Sequence, residues 1–431
     1  MPSEKEPEFT WYVGEDADLP TLESSEPSPG PRAGRRRLYL VIGMFLGTII
    51  LIGAMYIHVR VKEAQLRRDF QAVVDREWQI FTTDFSGAQS LVTEGVRPDE
   101  VFRPWVFYSF FYTIPSLSPP RVVSVTLQDG GTSAWVLQEM GGDVFRTPCR
   151  WVAFYRLTDA GWKRTAPDKR FWGKEVEGQS PHIHWRSYER EARIARRESE
   201  ELESMYIHIS SYLPPESVPT LIPVEYDIAY DSANVPFTRR ELRFPVFYLW
   251  GVTPDERACP EPRLLLLYET TAWMLDETVG LRREIQAPKA STSMLLAGLR
   301  AYFVERTVTT LAPDLQPVWT ALASWENILV SNAGPPPNIE DLRWNTPYAV
   351  YYSRLLVAYI AERYGPSGVA NLVRALKGDA VSVKAILLSA LGQDLDSNAF
   401  NREWHAYIEA YQQAHPPATL PVSPVPTSPG P

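Results

Sequence analysis

The chain has 431 residues, room for two or three domains, and its 45% hydrophobic content is enough to build real cores. A formal net charge of −9 and an isoelectric point near 5.4 exclude a general nucleic-acid binder, which would display a basic surface. Two distant cysteines, Cys149 and Cys259, make neither a disulfide framework nor a metal site; they predict two unpaired, partly buried thiols, with a single interdomain bridge as the alternative in an oxidising compartment.

Residues 1–37 mix acidic residues with Ser, Pro and Gly and offer too few apolar side chains to offset the entropy of ordering, so a disordered tail is expected there, with Trp11-Tyr12-Val13 its one apolar cluster. From Leu38 to Ile57 the sequence LYLVIGMFLGTIILIGAMYI is uncharged over the length a helix needs to cross hydrocarbon, which predicts a transmembrane helix over residues 38–58 with the lipid bilayer as its partner. The run is too long and too far from the N-terminus for a signal peptide. Arg32, Arg35, Arg36 and Arg37 precede it, whereas Arg60, Lys62, Arg67 and Arg68 beyond it are mixed with acids; this contrast predicts a cytoplasmic N-terminus and an extracytoplasmic bulk. Gly43 and Gly47 form a G-x-x-x-G pair of the kind that lets two such helices approach in a weak homodimer.

Leu66, Phe70, Val73, Val74, Trp78 and Phe81 recur three and four residues apart, predicting a packed helix through Thr83. Between Val122 and Trp172, β-rich runs are punctuated by Asp129-Gly130-Gly131, Gly141-Gly142-Asp143 and Asp159-Ala160-Gly161, the spacing of an antiparallel meander. Helix, meander and the stretch from Gly161-Trp162-Lys163-Arg164 to Phe171-Trp172-Gly173 together resemble the nuclear-transport-factor-two-like or cystatin-like cone domains. The resemblance implies an α+β cone over residues 59–176, in which Trp135, Phe154 and Trp162 are expected as core packing rather than a ligand pocket.

His182 and His184, two apart on a strand, share a face and are candidate metal ligands, but no third ligand lies near and a plain strand is expected. A helix from about Ser187 to Tyr212 follows, with Tyr188, Ala192, Ala195, Leu202, Met205 and Ile209 on one stripe. Its charge run, Arg193 to Glu203, reads as a solvated face with Glu/Arg pairing along it, and Pro214-Pro215 ends it. Val224–Ala229 and Phe244–Val252 read as strands.

The residues Tyr348 to Gly365, Asn371 to Gly378, Ala390 to Leu395 and Glu403 to Ile408 form amphipathic helices, with Gly365 placed as a C-cap and Gly392-Gln393-Asp394 as a break. Their succession resembles the helical C-terminal half of the peptidase MA-like (gluzincin) family, which implies such a domain over residues 177–415. Active members bind zinc through H-E-x-x-H and a glutamate in a later W-L-x-E-G-L-A-x-Y segment. Carried onto this chain, the first motif falls on Tyr268, Glu269 and Ala272 within Leu264–Met274, and the third ligand falls on Ala297 in Met294–Phe303. A rival placement, Ala297-Gly298 to Ala301 with Trp319 to Leu322, loses the ligands and the catalytic glutamate as well. None of His58, His182, His184, His208, His405 and His415 is followed by Glu, so no H-E-x-x-H exists in the chain. Without ligands there is no metal to acidify a water, and Glu269 as a base has nothing to deprotonate. No G-x-S-x-G motif or Gly-rich phosphate loop is present either. The Pro-rich residues 416–431 are expected to be disordered.

These features predict an α+β, single-pass membrane protein with a zinc-free pseudo-peptidase domain, no cofactor and no catalysis, serving to bind or scaffold an unidentified protein partner outside the membrane. A hydrolase or peptidase with unorthodox active-site residues is the first alternative, and transmembrane signalling through the tail is the second.

Overall fold

The computed structural model describes residues 31–102, 104–105, 118–141, 147–228, 241–281, 290–320, 336–343, 348–378, 380, 382–392 and 397–414. The architecture is α+β, with an antiparallel sheet and one long apolar helix near the N-terminus. That helix, α1 (Pro31–Thr83), begins seven residues earlier than expected, at a proline, the residue best tolerated in a first helical turn. Residues 31–37 are therefore helical, and the rest of the expected N-terminal tail, 1–30, lies outside the described residues, as do 415–431. Among the described residues α1 is the one helix long and apolar enough to cross a membrane, and its side chains from Val41 to Ile57 are exposed apart from the half-buried Gly53. A Cβ at Gly43 or Gly47 would meet nothing within 4 Å.

The chain divides into two compact units, Met1–Ala64 and Gln65–Pro431. In the second, the later turns of α1 bury Phe70, Val74, Trp78 and Phe81 at the expected spacing. They pack on a sheet ordered β1 (Arg121–Gln128), β2 (Ser133–Met140), β3 (Cys149–Thr158), β4 (Gly161–Arg164), antiparallel throughout. The meander turns at two of the expected places: Asp129, Gly130 and Gly131 all have positive φ between β1 and β2, and Gly161 has φ +95° after β3. The third, at Gly141-Gly142-Asp143, lies largely outside the described residues.

A buried ion pair ties α1 to this sheet. Arg164 Nε donates to Glu77 Oε2 at 3.0 Å, and both side chains are within 2% of complete burial. Tyr155 donates to the same carboxylate oxygen at 2.8 Å, and Arg164 reaches Gln138 Oε1 at 3.2 Å and the Val101 carbonyl at 2.8 Å. The guanidinium also lies 4.3 Å from the Phe102 ring centre and 4.5 Å from that of Trp105. Burial pushes the Glu77 carboxyl above its ordinary value.

β3 is buried on both faces: Trp151, Ala153 and Tyr155 join the core under α1, while Val152 and Phe154 join a second, larger core. Trp135 and Phe154, paired across β2 and β3, meet Phe171 edge-on, whereas Trp162 packs on Phe70 on the other face. The three aromatics thus belong to two different cores, Trp135 and Phe154 to one and Trp162 to the other.

The second sheet is ordered β5 (Glu175–Gln179), β6 (Ile183–Tyr188), β7 (Ile222–Asp227), β8 (Leu242–Pro245), with β5 antiparallel and the other pairings parallel. Because β5 pairs with β6, the change from one sheet to the other falls before Glu175. Helix α2 (Ala192–Ser210) packs on β6. The expected strand Phe244–Val252 is cut short: Pro245 closes β8, and Phe247–Trp250 is a helical turn whose first N–H groups are taken by the Glu191 carboxylate.

The larger core continues through α3 (Pro260–Val279), α4 (Ala290–Thr310), α5 (Ala349–Leu376), α6 (Val383–Leu391) and α7 (Ser397–Ala414). Gly365, at φ +67° before Pro366, interrupts α5 where a cap was expected, and Gly392 ends α6. α4 and α5 touch at Gly298, where a Cβ would fall 2.5 Å from the Ser353 carbonyl carbon. Only glycine admits that approach.

Cys149 and Cys259 are bonded to each other, with Cα atoms 6.0 Å apart, correcting the expectation of free thiols. The start of β3 and the residue before α3 are brought together by backbone hydrogen bonds in both directions between Arg150 and Val252, each 2.7 Å.

Replacing Arg164 alone by Met strands a buried carboxylate and is expected to lower the stability of the full chain in detergent by about 3–5 kcal/mol in urea titrations. Adding Glu77→Leu should recover a large part of that loss. A double variant as unstable as the single one would show that the pair's charge is not what matters.

Candidate functional site

Tyr268, Glu269 and Ala272 lie on α3, whose N-terminus is fixed by Pro260 and whose C-terminus is capped by Gly280 in the left-handed conformation. Ala297 lies on α4. Tyr268 and Ala272, four residues apart, share a helical face: Tyr268 is half-buried against the larger core, and Ala272 is buried within 7% of complete exclusion from solvent. Glu269 is exposed and Ala297 half-buried. α3 and α4 pack together, tied by Arg300 donating to Asp276 at 2.5 Å about a turn beyond Ala297 and Ala272. Of the rival placement, Gly298 and Ala301 are buried on α4 and Trp319 is half-buried, whereas residues 321 and 322 lie outside the described set. Among the described residues no group of three or more His, Cys, Asp and Glu could hold a metal ion.

The histidines of the 182–184 stretch part company. His182 Nδ1 meets Glu203 at 2.5 Å and its ring stacks on Tyr206 of α2, while His184 Nε2 lies 3.6 Å from Glu177 on β5. His182 precedes β6 rather than belonging to it, so the alternation that would have put both on one face does not apply.

The charge run of α2 is the largest departure from expectation. Glu198 and Glu201 do not pair along a solvated helix face; they turn toward Arg257, just before α3, and Arg263, in its first turn. Arg263, nearly buried, meets Glu201 at 2.6 Å, Asp314 at 2.5 Å and Glu198 at 3.4 Å, and Arg257 lies 3.6 Å from Glu201. Glu198 also accepts from the Ala258 N–H at 3.2 Å, and burial pushes its carboxyl up to about 7 against the pull of Arg263. The signal was in the spacing: Glu198 sits three residues after Ala195 and four before Leu202, on the apolar stripe itself.

Glu191, fully buried just before α2, has no ion-pair partner among the described residues. Its two oxygens accept from the N–H groups of Phe247 at 2.9 Å and Tyr248 at 2.6 Å, and burial pushes its carboxyl up to about 8 despite these donors. It sits inside a packed junction and holds the turn that links the second sheet to the approach to α3.

Comparison of the chain with models of known protein families, with curated proteins and with solved structures gives no match.

A carboxyl whose folded pKa lies above its unfolded value of about 4.3 contributes stability that is complete below that value and lost as pH rises through the folded pKa. For Glu191 the window runs from about 4.3 to about 8 and carries on the order of 5 kcal/mol. The melting temperature of the full chain should therefore fall as pH is raised across this window. Glu191→Gln should flatten the fall while lowering stability at pH 5, because its amide nitrogen faces a backbone donor. An unchanged slope in the variant would assign the pH dependence to other groups.

Proposed function

We propose that this chain is a membrane-anchored, non-catalytic protein whose helical part resembles a zinc peptidase of the peptidase MA-like (gluzincin) family stripped of its metal site, and that it binds or scaffolds a partner protein at the extracytoplasmic face. The observation that carries the reading is what fills the ligand positions: Tyr268 and Ala272 pack into an apolar core, and the third position is Ala297. Ionisable ligands at such places would carry a desolvation cost that only a bound metal offsets, and apolar packing removes that cost.

Location is supported from two sides. The exposed apolar span of α1 follows a cluster of four arginines, so the positive-inside rule puts the N-terminus in the cytoplasm and residues beyond Ile57 outside. The Cys149–Cys259 bridge fits that side, since disulfides persist where the environment is oxidising.

Metal analysis of the purified full chain in detergent, after incubation with zinc and removal of excess, tests the reading. Zinc well below one per chain is expected. Stoichiometric zinc that survives the wash would overturn it and return the chain to the metal-dependent hydrolases.

A further inference from the structure

Strand β5 stands at one end of the second sheet. At its two ends Glu189 donates to the Lys174 carbonyl and Ser180 donates to that of Ile183, so the even-numbered residues direct their backbone groups at β6. Alternation turns those of Glu175, Glu177 and Gln179 outward along the edge, and all three residues are exposed. A groove of about 270 Å³ opens beside them, lined by Glu175, Glu177, Arg186, Ser187, Tyr188 and Glu225 among its walls.

The groove is acidic where the edge is open. Across the sheet runs the register Glu177, Arg186, Glu225, Arg243, alternating in sign. Its inner members satisfy one another, with Arg186 3.4 Å from Glu225 and Arg243 2.5 Å from Glu225. At the edge Glu177 has His184 at 3.6 Å, and Glu175 has no ion-pair partner among the described residues. Tyr188 reports the same field: burial first, and then the carboxylates of Asp227, Glu175, Glu225 and Glu191, push its phenol up.

We propose that this edge docks an extended segment of a partner protein carrying Lys or Arg at alternate positions, added to the sheet as a strand beside β5. The outward N–H and C=O groups supply main-chain hydrogen bonds, as in other strand additions. Glu175 and Glu177, two apart on one face, match cationic side chains two apart on the incoming strand. A second copy of this chain fits poorly, because β5 against β5 sets glutamate beside glutamate. The proposal concerns the far edge of the sheet and stands whatever the zinc content of the chain.

The test uses the full chain in detergent and a fluorescein-labelled peptide of alternating Lys and Val, with anisotropy as the readout. Saturable binding is expected, weakened at least about tenfold by Glu175→Lys with Glu177→Lys, two exposed positions whose reversal leaves the core intact, and unchanged by Glu409→Lys on α7. The same peptide N-methylated at every residue keeps its charge but loses its donors and should bind at least about tenfold more weakly. No binding, equal binding of an alternating Glu-Val peptide, or insensitivity to charge reversal or N-methylation would each overturn the proposal. So would a dimer of the native chain that dissociates on charge reversal, which would make a second copy the occupant.

Discussion

Strand β3 is the element on which the rest depends. Five consecutive residues, Trp151 to Tyr155, are buried, three facing one core and two the other. A strand covered on both faces must be apolar without interruption, and this one is. Its alternation decides which side chain serves which core, so a one-residue slip would exchange Tyr155 and Trp151 for Phe154 and Val152 on both sides at once. Tyr155 is also the residue whose hydroxyl donates a hydrogen bond to Glu77, so the register of β3 fixes the buried polar network as well as the packing.

Two further locks sit at the start of the same strand. The paired backbone bonds of Arg150 and Val252 join it to the approach to α3, and Cys149 carries the disulfide to Cys259 one residue before that helix begins. A cross-link between residues 110 apart removes roughly 4–5 kcal/mol of chain freedom from the unfolded state. Its position means that the helix bearing Tyr268, Glu269 and Ala272 is anchored to the first sheet. The proposed docking edge at β5 lies at the end of the second sheet opposite β8, so binding there does not require the α3–α4 packing to open.

What could be read from the sequence was local. The spacing of Phe70, Val74, Trp78 and Phe81 gave the buried face of α1, and the glycines at 130, 131 and 161 gave the hairpins, because each rests on one helix face or one backbone conformation. Contacts between distant residues stayed hidden. Nothing near Cys149 points to Cys259, and Arg164 resembles any basic residue after a hairpin until Glu77 is seen to face it. Glu198 was legible in principle from its place on the apolar stripe of α2, but a charge run invites the reading of a solvated face. The strand expected through Val252 failed for a tertiary reason, since the apolar run after Pro245 finds a buried carboxylate ready to cap a turn. At the candidate site, the identities Tyr268, Ala272 and Ala297 were plain from the sequence alone, while the burial of Ala272 and the exposure of Glu269 needed the structure.

If β3 is shared as described, the first sheet and the helical region fold and unfold together. Native-state hydrogen exchange on the full chain in detergent, followed as urea is raised, addresses this directly. The amides of Trp151–Tyr155 and those in the middle of α5 should converge on one opening free energy. Loss of protection in β1–β4 at a clearly lower free energy, with α5 still protected, would contradict the shared strand and make the two cores separate domains.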